Sequence, residues 1–419
     1  MEKLNEREEA YEALLEAERP GPANKMLKRR LDGLGMDTRG KAFVVELAQG
    51  TTRRKMLLDY IIGLSSRIPT EKMQPEVRII IRMAVYQMRY MDKVPDRAAV
   101  DEAVKLAKKK GFGHVSGFVN GVLRNVGRQG PLPLPGDLAQ RLSLEHSYPS
   151  WIVEYLIKNF GPQRAELVCK AGSERPMITL CPNMLKTTAE DLALRLSGEG
   201  MEAHLEEGSV TVAKAGEIAA SKAYAEGLFH VMDRSSAACA WALDPQKGET
   251  IADVCAAPGG KSFLCAMLMG NEGRIMSMDK DKRRVDEMGR QAKRLGIRII
   301  EAGVRNALEP LEEIYDRVLV DAPCSGFGVA SRKPDVKYGK SMKDVKSLAE
   351  LQKGILGASC QGLKAGGRLV YSVCTYTVEE CEEVSRWAVE NLPLSLEEEK
   401  RIWPGDGWDG FYIARFAKR

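Results

Sequence analysis

The first part of the chain repeats apolar residues at the spacing of α-helices. Segments 10–17, 41–50, 57–66 and 77–91 carry apolar residues three or four positions apart, which places them on one face of a helix. No alternation of apolar and polar residues, the mark of a half-buried strand, occurs in this region. The pattern predicts an all-α N-terminal domain over residues 1–130.

A Pro/Gly-rich stretch at 129–137 then predicts a linker. The region after it, residues 138–230, mixes two patterns. Apolar residues at helical spacing occur at 148–160 and 188–200. Short strand patterns lie between and after them, at 177–183, 201–207 and 209–215. We therefore predict a small α+β domain over residues 138–230.

Residues 231–419 alternate apolar strand patterns with helical segments. The strand patterns lie at 250–257, 274–279, 297–303, 317–323 and 367–375. Strands that alternate with helices indicate a parallel sheet covered by helices on both faces. The third domain is therefore predicted to be a doubly wound α/β fold.

Charge is distributed unevenly along the 419 residues. The net charge is +5, but residues 1–130 contain 25 Lys and Arg against 17 Asp and Glu, so the basic excess lies entirely in this first part. Such asymmetry indicates a module that binds a polyanion such as RNA. An ordinary solvated helical surface explains the charge equally well.

Cysteine and histidine usage argues against a metal site. The nine cysteines lie at or after Cys169 without a C-x-x-C pair, and the four histidines are scattered. The odd number of cysteines and the charged N-terminus favour reduced thiols and a cytoplasmic location. The sequence contains no apolar run of about 18 residues, so it predicts no membrane span. A monomer is our working expectation, although the sequence does not determine the oligomeric state.

The run DVCAAPGGK, Asp253–Lys261, lies between a predicted strand and a predicted helix. Ligands of doubly wound sheets bind at the carboxyl ends of strands. Gly259 and Gly260 let the backbone approach a ligand closely. The run is neither G-x-G-x-x-G nor a P-loop, which weakens the dehydrogenase and NTPase interpretations. A generic glycine turn is the alternative.

Asp279 ends the next predicted strand, eighteen residues beyond Lys261. An acidic residue at about this distance from a glycine turn can accept hydrogen bonds from ribose hydroxyls. A lone Asp at the end of a strand is usually only a turn residue. Its spacing from the glycine turn favours the binding role.

Two cysteines follow strand patterns further along. Cys324 lies in DAPCSGFG and Cys374 in YSVCT, fifty residues apart. Most free cysteines are buried packing residues, an interpretation that suits Cys169, Cys239, Cys265 and Cys360 in their helical or apolar surroundings. It suits Cys324 and Cys374 poorly, because strand-end loops are where ligands bind.

Two thiols and an acid are what methylation of cytosine carbon 5 requires. Carbon 5 becomes nucleophilic enough to take a methyl group only when a thiolate has added to carbon 6. An acid near N3, for which Asp321 is the candidate, stabilises the developing charge. A second group, for which Cys324 is available, assists when the proton leaves carbon 5 and the thiol is eliminated.

These motifs resemble the RsmB/Sun family of bacterial 16S rRNA cytosine-5 methyltransferases, within the NOL1/NOP2/Sun group. The matching segments are DVCAAPGGK, YDRVLVDAPCSGFG, RKPDVK, YSVCT and DGFYIARF. The resemblance extends over nearly the whole chain. It implies a NusB-like helical domain at 1–130, an RRM-like domain at 138–230, and a Rossmann-like S-adenosylmethionine-dependent methyltransferase domain at 231–419.

The resemblance also implies roles for single residues. Cys374 is the nucleophile, and Cys324 helps to release the product. Asp279 binds the ribose of S-adenosylmethionine, and Asp321 lies near its methionine end. Asn306 stands where the family usually has an Asp near the adenine. The remaining cofactor residues lie around the methionine and ribose and are Cys255, Ala256, Ala257, Pro258, Gly259, Gly260 and Lys261.

The expected partner is RNA, and 16S rRNA is the first candidate. A first alternative keeps the chemistry and changes the substrate to tRNA or another rRNA site, because charge patterns do not identify an RNA. A second alternative is a catalytically silent NusB-like RNA-binding protein that acts in ribosome assembly or transcription antitermination. The presence of Asp321, Cys324 and Cys374 argues against that alternative, whereas the fold alone does not.

Overall fold

The structure is a computed structural model that describes residues 5–18, 27, 30–31, 35–213 and 218–419. The chain forms two compact units. The first comprises Met1–Arg175 together with Ala330–Gly339, and the second comprises Pro176–Val329 and Lys340–Arg419. The domain ranges 1–130, 138–230 and 231–419 remain predictions of where the domains begin and end.

The described residues of the first unit are mainly helical. The apolar periodicity predicted helices over residues 1–130 and at 148–160, but not the helices Leu138–His146 and Pro162–Ser173. The α-helices of this unit are α1 (Glu6–Ala17), α2 (Thr38–Arg53), α3 (Lys55–Ser65), α4 (Pro75–Tyr90), α5 (Asp96–Lys109), α6 (Ser116–Arg128), α7 (Leu138–His146), α8 (Ser150–Phe160) and α9 (Pro162–Ser173). Short 3₁₀ turns lie at Thr70–Lys72, Gly113–Val115 and Pro334–Lys337.

Helix α4 is the centre of this unit. Pro75 occupies its first turn, where a proline costs no intrahelical hydrogen bond. Apolar residues on almost every side of the helix are buried, among them Val77, Ile81 and Val85. Five helices, α1, α2, α3, α5 and α6, pack around it. A helix that is apolar nearly all round is stable only in such surroundings.

The second unit begins with a small antiparallel sheet. Its strands β1 (Ile178–Pro182), β2 (Ala203–Glu206), β3 (Ser209–Val212) and β4 (Phe229–Val231) are arranged in the order β2-β3-β1-β4. Helices α10 (Ala189–Gly198) and α11 (Lys222–Ala225) accompany the sheet. The first three strands were predicted, although the last two residues of segment 209–215 lie outside the described residues. Strand β4 was not predicted.

A seven-stranded sheet forms the rest of this unit. Its strands are β5 (Thr250–Asp253), β6 (Arg274–Asp279), β7 (Ile300–Val304), β8 (Tyr315–Asp321), β9 (Leu363–Val373), β10 (Leu394–Ile402) and β11 (Phe411–Lys418), in the order β10-β11-β9-β8-β5-β6-β7. The helices are α12 (Arg234–Leu243), α13 (Gly260–Leu268), α14 (Lys282–Leu295), α15 (Met342–Gln361) and α16 (Glu382–Asn391).

Alternate residues of the central strands face opposite helical layers. Leu319 packs in one apolar cluster with residues of α12, α13 and α14. Val318 and Val320 pack in another with residues of α15 and α16. All three side chains are completely buried, as expected for a parallel strand covered on both faces. The predicted Rossmann-like fold with helices on both faces is confirmed.

The edge of this sheet differs from the prediction. Strands β5 to β9 pair in parallel, whereas β10 and β11 pair antiparallel to each other and β11 pairs antiparallel to β9. Segment 394–402 was missed because it contains five charged residues and is largely exposed at the edge, so it lacks an apolar strand pattern. Among the described residues, no helix is long and apolar enough to cross a membrane.

Candidate active site

The strand order of the large sheet reverses between β5 and β8. Strands β6 and β7 lie on one side of this point, and β9 lies on the other. Asp253 ends β5 and Asp321 ends β8, so two carboxyl groups stand at neighbouring strand ends. A crevice at such a reversal point is the usual ligand site of doubly wound sheets.

A tight turn follows β5 and leads into helix α13. The Ala256 N–H donates to the Met278 carbonyl at 2.8 Å, and the Gly259 N–H donates to the Ala256 carbonyl at 2.7 Å. Gly259 has a φ of +110°, which favours glycine, and a Cβ there would lie 2.4 Å from the Phe263 ring. Helix α13 begins directly after this turn, and the first amides of a helix have no intrahelical acceptor.

Asp253 is buried beneath this turn. Its Oδ2 accepts a hydrogen bond from the Ser262 hydroxyl at 2.7 Å, whereas its Oδ1 has no hydrogen-bond partner. Burial raises the pKa of the carboxyl group to about 7. A buried carboxyl oxygen without a partner at a strand end can accept a hydrogen bond from an amino or hydroxyl group of a ligand.

Asp279 ends β6 and holds a second acceptor at the same edge. Its Oδ1 accepts from the Asp281 N–H at 3.0 Å, and its Oδ2 forms an ion pair with Arg284 at 3.0 Å. Arg284 also donates to the Ala257 carbonyl, so it joins the β6 end to the turn after β5. The sequence analysis missed Arg284, which is one of several basic residues in α14.

Asn306 lies at this edge too, just beyond β7. The neighbouring Arg305 N–H donates to the Asp279 carbonyl at 3.1 Å, so the ends of β6 and β7 are adjacent. Asn306 is exposed, and its side-chain oxygen accepts from the Leu308 N–H at 3.2 Å. The amide nitrogen of Asn306 is the group that remains for a ligand.

Lys261 and Asp321 are joined directly. Lys261 Nζ donates to Asp321 Oδ2 at 2.6 Å, and the Ser372 hydroxyl donates to Oδ1 at 2.9 Å. Burial lowers the pKa of Lys261, but the Asp321 carboxylate outweighs burial and raises it above its usual value. The pair links the turn after β5 to the end of β8. Nothing in the sequence pattern indicated Ser372.

The structure brings the two predicted thiols together. Cys324 lies three residues beyond Asp321, and Cys374 directly follows β9, the parallel neighbour of β8. Their sulfur atoms are 3.3 Å apart. The hydrogen bond with Cys374, together with burial, raises the pKa of the Cys324 thiol well above its usual value. Either sulfur atom can donate this hydrogen bond.

Both thiol loops are anchored by backbone hydrogen bonds. The Gly328 N–H donates to the Cys374 carbonyl at 3.1 Å, and the Gly410 N–H donates to the Gly328 carbonyl at 2.8 Å. A Cβ at Gly328 would lie 2.0 Å from the Gly410 carbonyl oxygen. This close approach of three backbone segments explains a glycine at the end of DAPCSGFG.

The other cysteines follow the packing interpretation. Cys169, Cys239, Cys265 and Cys360 are all buried, and burial raises the pKa of each of these thiols. Cys255, in the turn after β5, is half-buried like Cys324 and Cys374.

The remaining turn residues differ in exposure. Ala256 and Ala257 are buried, Gly260 is half-buried and Pro258 is exposed. The predicted site residues thus occupy one edge of the sheet. Asp279 and Asn306 lie at its β6–β7 side, and the thiols lie at its β8–β9 side.

Models of known protein families match three parts of the chain. A model described as 16S rRNA methyltransferase RsmB/F matches residues 240–417. A NusB family model matches residues 4–128, and a ferredoxin-like domain model of RsmF/B-like methyltransferases matches residues 148–218. S-adenosylmethionine, the cofactor predicted from the sequence, is confirmed as the methyl donor of this family.

Individual relatives cover most of the chain. A protein of Bacillus subtilis named "Probable ribosomal RNA small subunit methyltransferase B" is 38% identical over 100% of both chains. A protein of the same name from Synechocystis is 36% identical over 82% of this chain and 79% of its own.

A solved structure shares the fold of about two thirds of the chain. It is a methyltransferase homolog protein from Pyrococcus horikoshii, with 27% identity and a TM-score of 0.60 over 68% of this chain and 100% of that one. The similarity of the full-length relatives at 30% identity or more establishes the family. The chain is therefore a member of the ribosomal RNA small subunit methyltransferase B family, RsmB/F.

Proposed function

We propose that this protein forms 5-methylcytosine in 16S rRNA through a covalent bond between Cys374 and carbon 6 of the target cytosine. The observation that carries the proposal is the pair of thiols, Cys324 and Cys374, with sulfur atoms 3.3 Å apart at a strand-end crevice. Methylation of an exocyclic amino group or a ribose hydroxyl needs no thiol, whereas methylation of cytosine carbon 5 needs a nucleophile and a group that receives the carbon 5 proton.

Cys374 is the nucleophile in this proposal. In this assignment Cys324 keeps its proton and donates the hydrogen bond that joins the two sulfurs, and Cys374 accepts it as the thiolate. The Cys374 sulfur adds to carbon 6 of the cytosine, and the electron pair of the carbon 5–carbon 6 double bond moves towards N3. Carbon 5 thereby gains the electron density with which it attacks a methyl group.

The ion pair of Lys261 and Asp321 is the candidate for charge stabilisation near N3. Asp321 accepts hydrogen bonds from Lys261 and the Ser372 hydroxyl, so the proton of this cluster resides on the ammonium group. We infer that the proton for N3 comes from the Lys261–Asp321 pair as a unit. Asp321 then orients the donor, a refinement of the role predicted for it alone.

The residues of the β5–β6–β7 edge suit the methyl donor. Asp279 and Asp253 provide acceptors for hydroxyl and amino groups, and Arg284 holds Asp279 in position. Cys255–Lys261 would surround the methionine and ribose, and Asn306 would face the adenine. S-adenosylmethionine supplies an electrophilic methyl group when bound there.

Cys324 assists product release in this proposal. When the Cys374 sulfur is bonded to carbon 6, its negative charge no longer holds the Cys324 proton, so the pKa of Cys324 falls and the thiol can lose that proton to solvent. The Cys324 thiolate then takes the proton from carbon 5. The carbon 5–carbon 6 double bond re-forms, the bond between carbon 6 and the Cys374 sulfur breaks, and N3 returns its proton to the Lys261–Asp321 pair.

The choice of 16S rRNA rests on the family names, whereas the basic excess of residues 1–130 supports only the binding of RNA. The test is methylation in vitro of RNA from a strain that lacks this protein, followed by bisulfite mapping. One new 5-methylcytosine in 16S rRNA is the expected result. A new 5-methylcytosine only in tRNA or 23S rRNA would change the substrate, and no methylation of any RNA would favour the silent RNA-binding protein.

A further inference from the structure

A buried carboxylate accepts hydrogen bonds from the two loops that carry the thiols, and it has no part in the chemistry described above. Glu380, in the turn between β9 and α16, has 0% of its surface exposed. Its Oε1 accepts hydrogen bonds from the Ser325 N–H at 2.8 Å and from the Gln352 amide at 3.1 Å. Its Oε2 accepts from the Thr377 hydroxyl at 2.8 Å. Three donors around one buried group are the surroundings of an ionised carboxylate.

These hydrogen bonds reach both thiol loops. Ser325 is the residue after Cys324, and Thr377 lies three residues after Cys374. The same loops are joined a second time, because the hydroxyls of Ser325 and Thr375 are 2.7 Å apart. Glu380 therefore holds the Cys324 loop by its backbone and the Cys374 loop by a side chain.

A further layer holds Glu380 itself. Gln352, on helix α15, donates to the Pro323 carbonyl at 3.0 Å as well as to Glu380. The Tyr371 hydroxyl contacts the Gln352 side-chain oxygen at 2.9 Å and the Glu380 carbonyl at 2.6 Å. Gln352 and Tyr371 are both completely buried. A fully satisfied buried network of this kind has one arrangement and resists distortion.

From this network we propose that Glu380 is a positioning residue that sets the separation of the Cys324 and Cys374 sulfurs by holding both of their loops. The proposal rests on the proposed function of the two thiols. A hydrogen bond between sulfurs is sensitive to distance, and neither loop is held at its thiol by regular strand pairing. Without the Glu380 carboxylate, the Ser325 N–H and the Thr377 hydroxyl lose their common acceptor, and the loops can move apart.

The charge of Glu380 has a second effect on the same pair. Glu380 and Asp321 both raise the pKa of Cys324, because a negative charge disfavours a second negative charge nearby. The carboxylate thus favours the state in which Cys324 keeps its proton and donates to Cys374. Geometry and charge act in the same direction and are separable by mutation.

E380Q separates the two effects. The amide oxygen can still accept from Ser325 and Gln352, and the amide nitrogen can donate to the Thr377 hydroxyl, so the geometry persists while the charge is lost. We expect the pH profile for alkylation of Cys324 by iodoacetamide, measured on its peptide by mass spectrometry, to shift to lower pH by about one unit. A profile that coincides with that of the unsubstituted protein would overturn the electrostatic part of the proposal.

E380A removes both effects. We expect a loss of kcat for methyl transfer of about 100-fold, since small displacements of reacting groups cost rates of this order, with the KM for S-adenosylmethionine unchanged. E383Q, which removes an exposed carboxylate from the same segment, is the matched control and should leave kcat and the alkylation profile unchanged. A folded E380A protein with normal kcat would overturn the positioning role. If E380A does not fold, T377V takes its place, because it removes the hydroxyl that donates to Glu380 and nearly keeps the side-chain volume, and normal kcat in T377V would overturn the role.

These measurements stay distinct from the test of the proposed function. Alkylation needs only the protein and iodoacetamide, without RNA or S-adenosylmethionine. If the unsubstituted protein forms no 5-methylcytosine, the proposed function fails while the alkylation profiles still report on Glu380. If 5-methylcytosine forms and the profiles do not differ, only the electrostatic role of Glu380 fails.

Discussion

The sulfur atoms of Cys324 and Cys374 lie 3.3 Å apart although the two residues are separated by fifty positions in the chain. They meet because β8 and β9 are parallel neighbours that end at the same edge of the sheet. The Gly328 N–H, which donates to the Cys374 carbonyl, fixes one loop against the other. This arrangement makes the roles of the two thiols testable separately.

Replacement of Cys374 by alanine should abolish methyl transfer, with a loss of about 10⁴-fold or more, as expected when a nucleophile is removed. The affinity for S-adenosylmethionine should remain nearly unchanged, because the proposed cofactor residues lie mainly at the ends of β5 and β6. Incorporation of labelled methyl groups into RNA and calorimetric titration of the cofactor measure the two effects. C360A, which removes a thiol outside the pair, should retain turnover, and retained turnover in C374A would exclude Cys374 as nucleophile.

Replacement of Cys324 by alanine should trap the protein on its RNA. The Cys374 sulfur can still add to carbon 6 and the methyl group can still be transferred, but no thiolate is present to take the carbon 5 proton. A slowly migrating protein–RNA adduct should therefore accumulate on denaturing gels in the presence of S-adenosylmethionine. The double variant C324A/C374A should form no adduct, and absence of the adduct from C324A alone would assign product release to another group.

Gly328→Ala should destabilise the active site. A Cβ there would lie 2.0 Å from the Gly410 carbonyl oxygen, so a backbone segment must move. Overpacking of this kind costs about 1–3 kcal/mol of unfolding free energy, and displacement of the Cys374 loop should lower kcat. Chemical denaturation and methyl transfer measure both. G357A is the control, because a Cβ at Gly357 meets nothing within 4 Å, and equal stability of the two variants would contradict the close approach.

Asp253 should make the protein less stable as the pH rises from about 4 to 7. Burial raises the pKa of this carboxyl group from its ordinary 3.8 to about 7 in the folded protein. The unfolded chain loses the Asp253 proton near pH 4, whereas the folded protein keeps it until about pH 7. The contribution of the protonated carboxyl group to the free energy of unfolding is therefore fully present below pH 4 and is lost as the pH rises to 7.

The D253N variant lacks this titration. Relative to the unsubstituted protein, its unfolding free energy should increase between pH 4 and 7 by on the order of 4 kcal/mol. Urea denaturation at several pH values gives the difference, with D286N, at an exposed position of α14, as the control. A difference that stays constant across this range would show that Asp253 is ionised in the folded protein.

The fold could be predicted largely from the sequence, because the spacing of apolar residues indicates which side chains are buried. Among the described residues, helices α1 to α9 of the first unit and strands β5, β6, β8 and β9 bury apolar side chains at the spacing of their element, whereas β7 is largely exposed. Strand β11 was identified only as part of the family motif DGFYIARF and was not predicted as a strand. Strands β4 and β10 escaped prediction because β4 has three residues and β10 is charged and exposed at the edge. In such strands pairing with a neighbour, and not burial, decides the conformation.

The residues of the site likewise divide into those that could be predicted from the sequence and those that could not. Asp279, Asp321, Cys324 and Cys374 could be found because each follows a strand pattern within a recognisable motif. Arg284, Ser372 and Glu380 could not be found, because no spacing in the sequence connects them to the groups they contact. Glu380 lies in TVEECEEV among other glutamates, and only its burial distinguishes it from its exposed neighbour Glu383.

By itself, the sequence determined most of the helices, the parallel strands and the residues at the ends of those strands, since these depend on local periodicity and turn chemistry. Only the tertiary structure decided that β8 and β9 are neighbours, that Lys261 pairs with Asp321, and that the Cys324 thiol carries the raised pKa. These properties depend on distances between residues far apart in the chain. Such distances, and the burial that strengthens electrostatic interactions, exist only once the chain has folded.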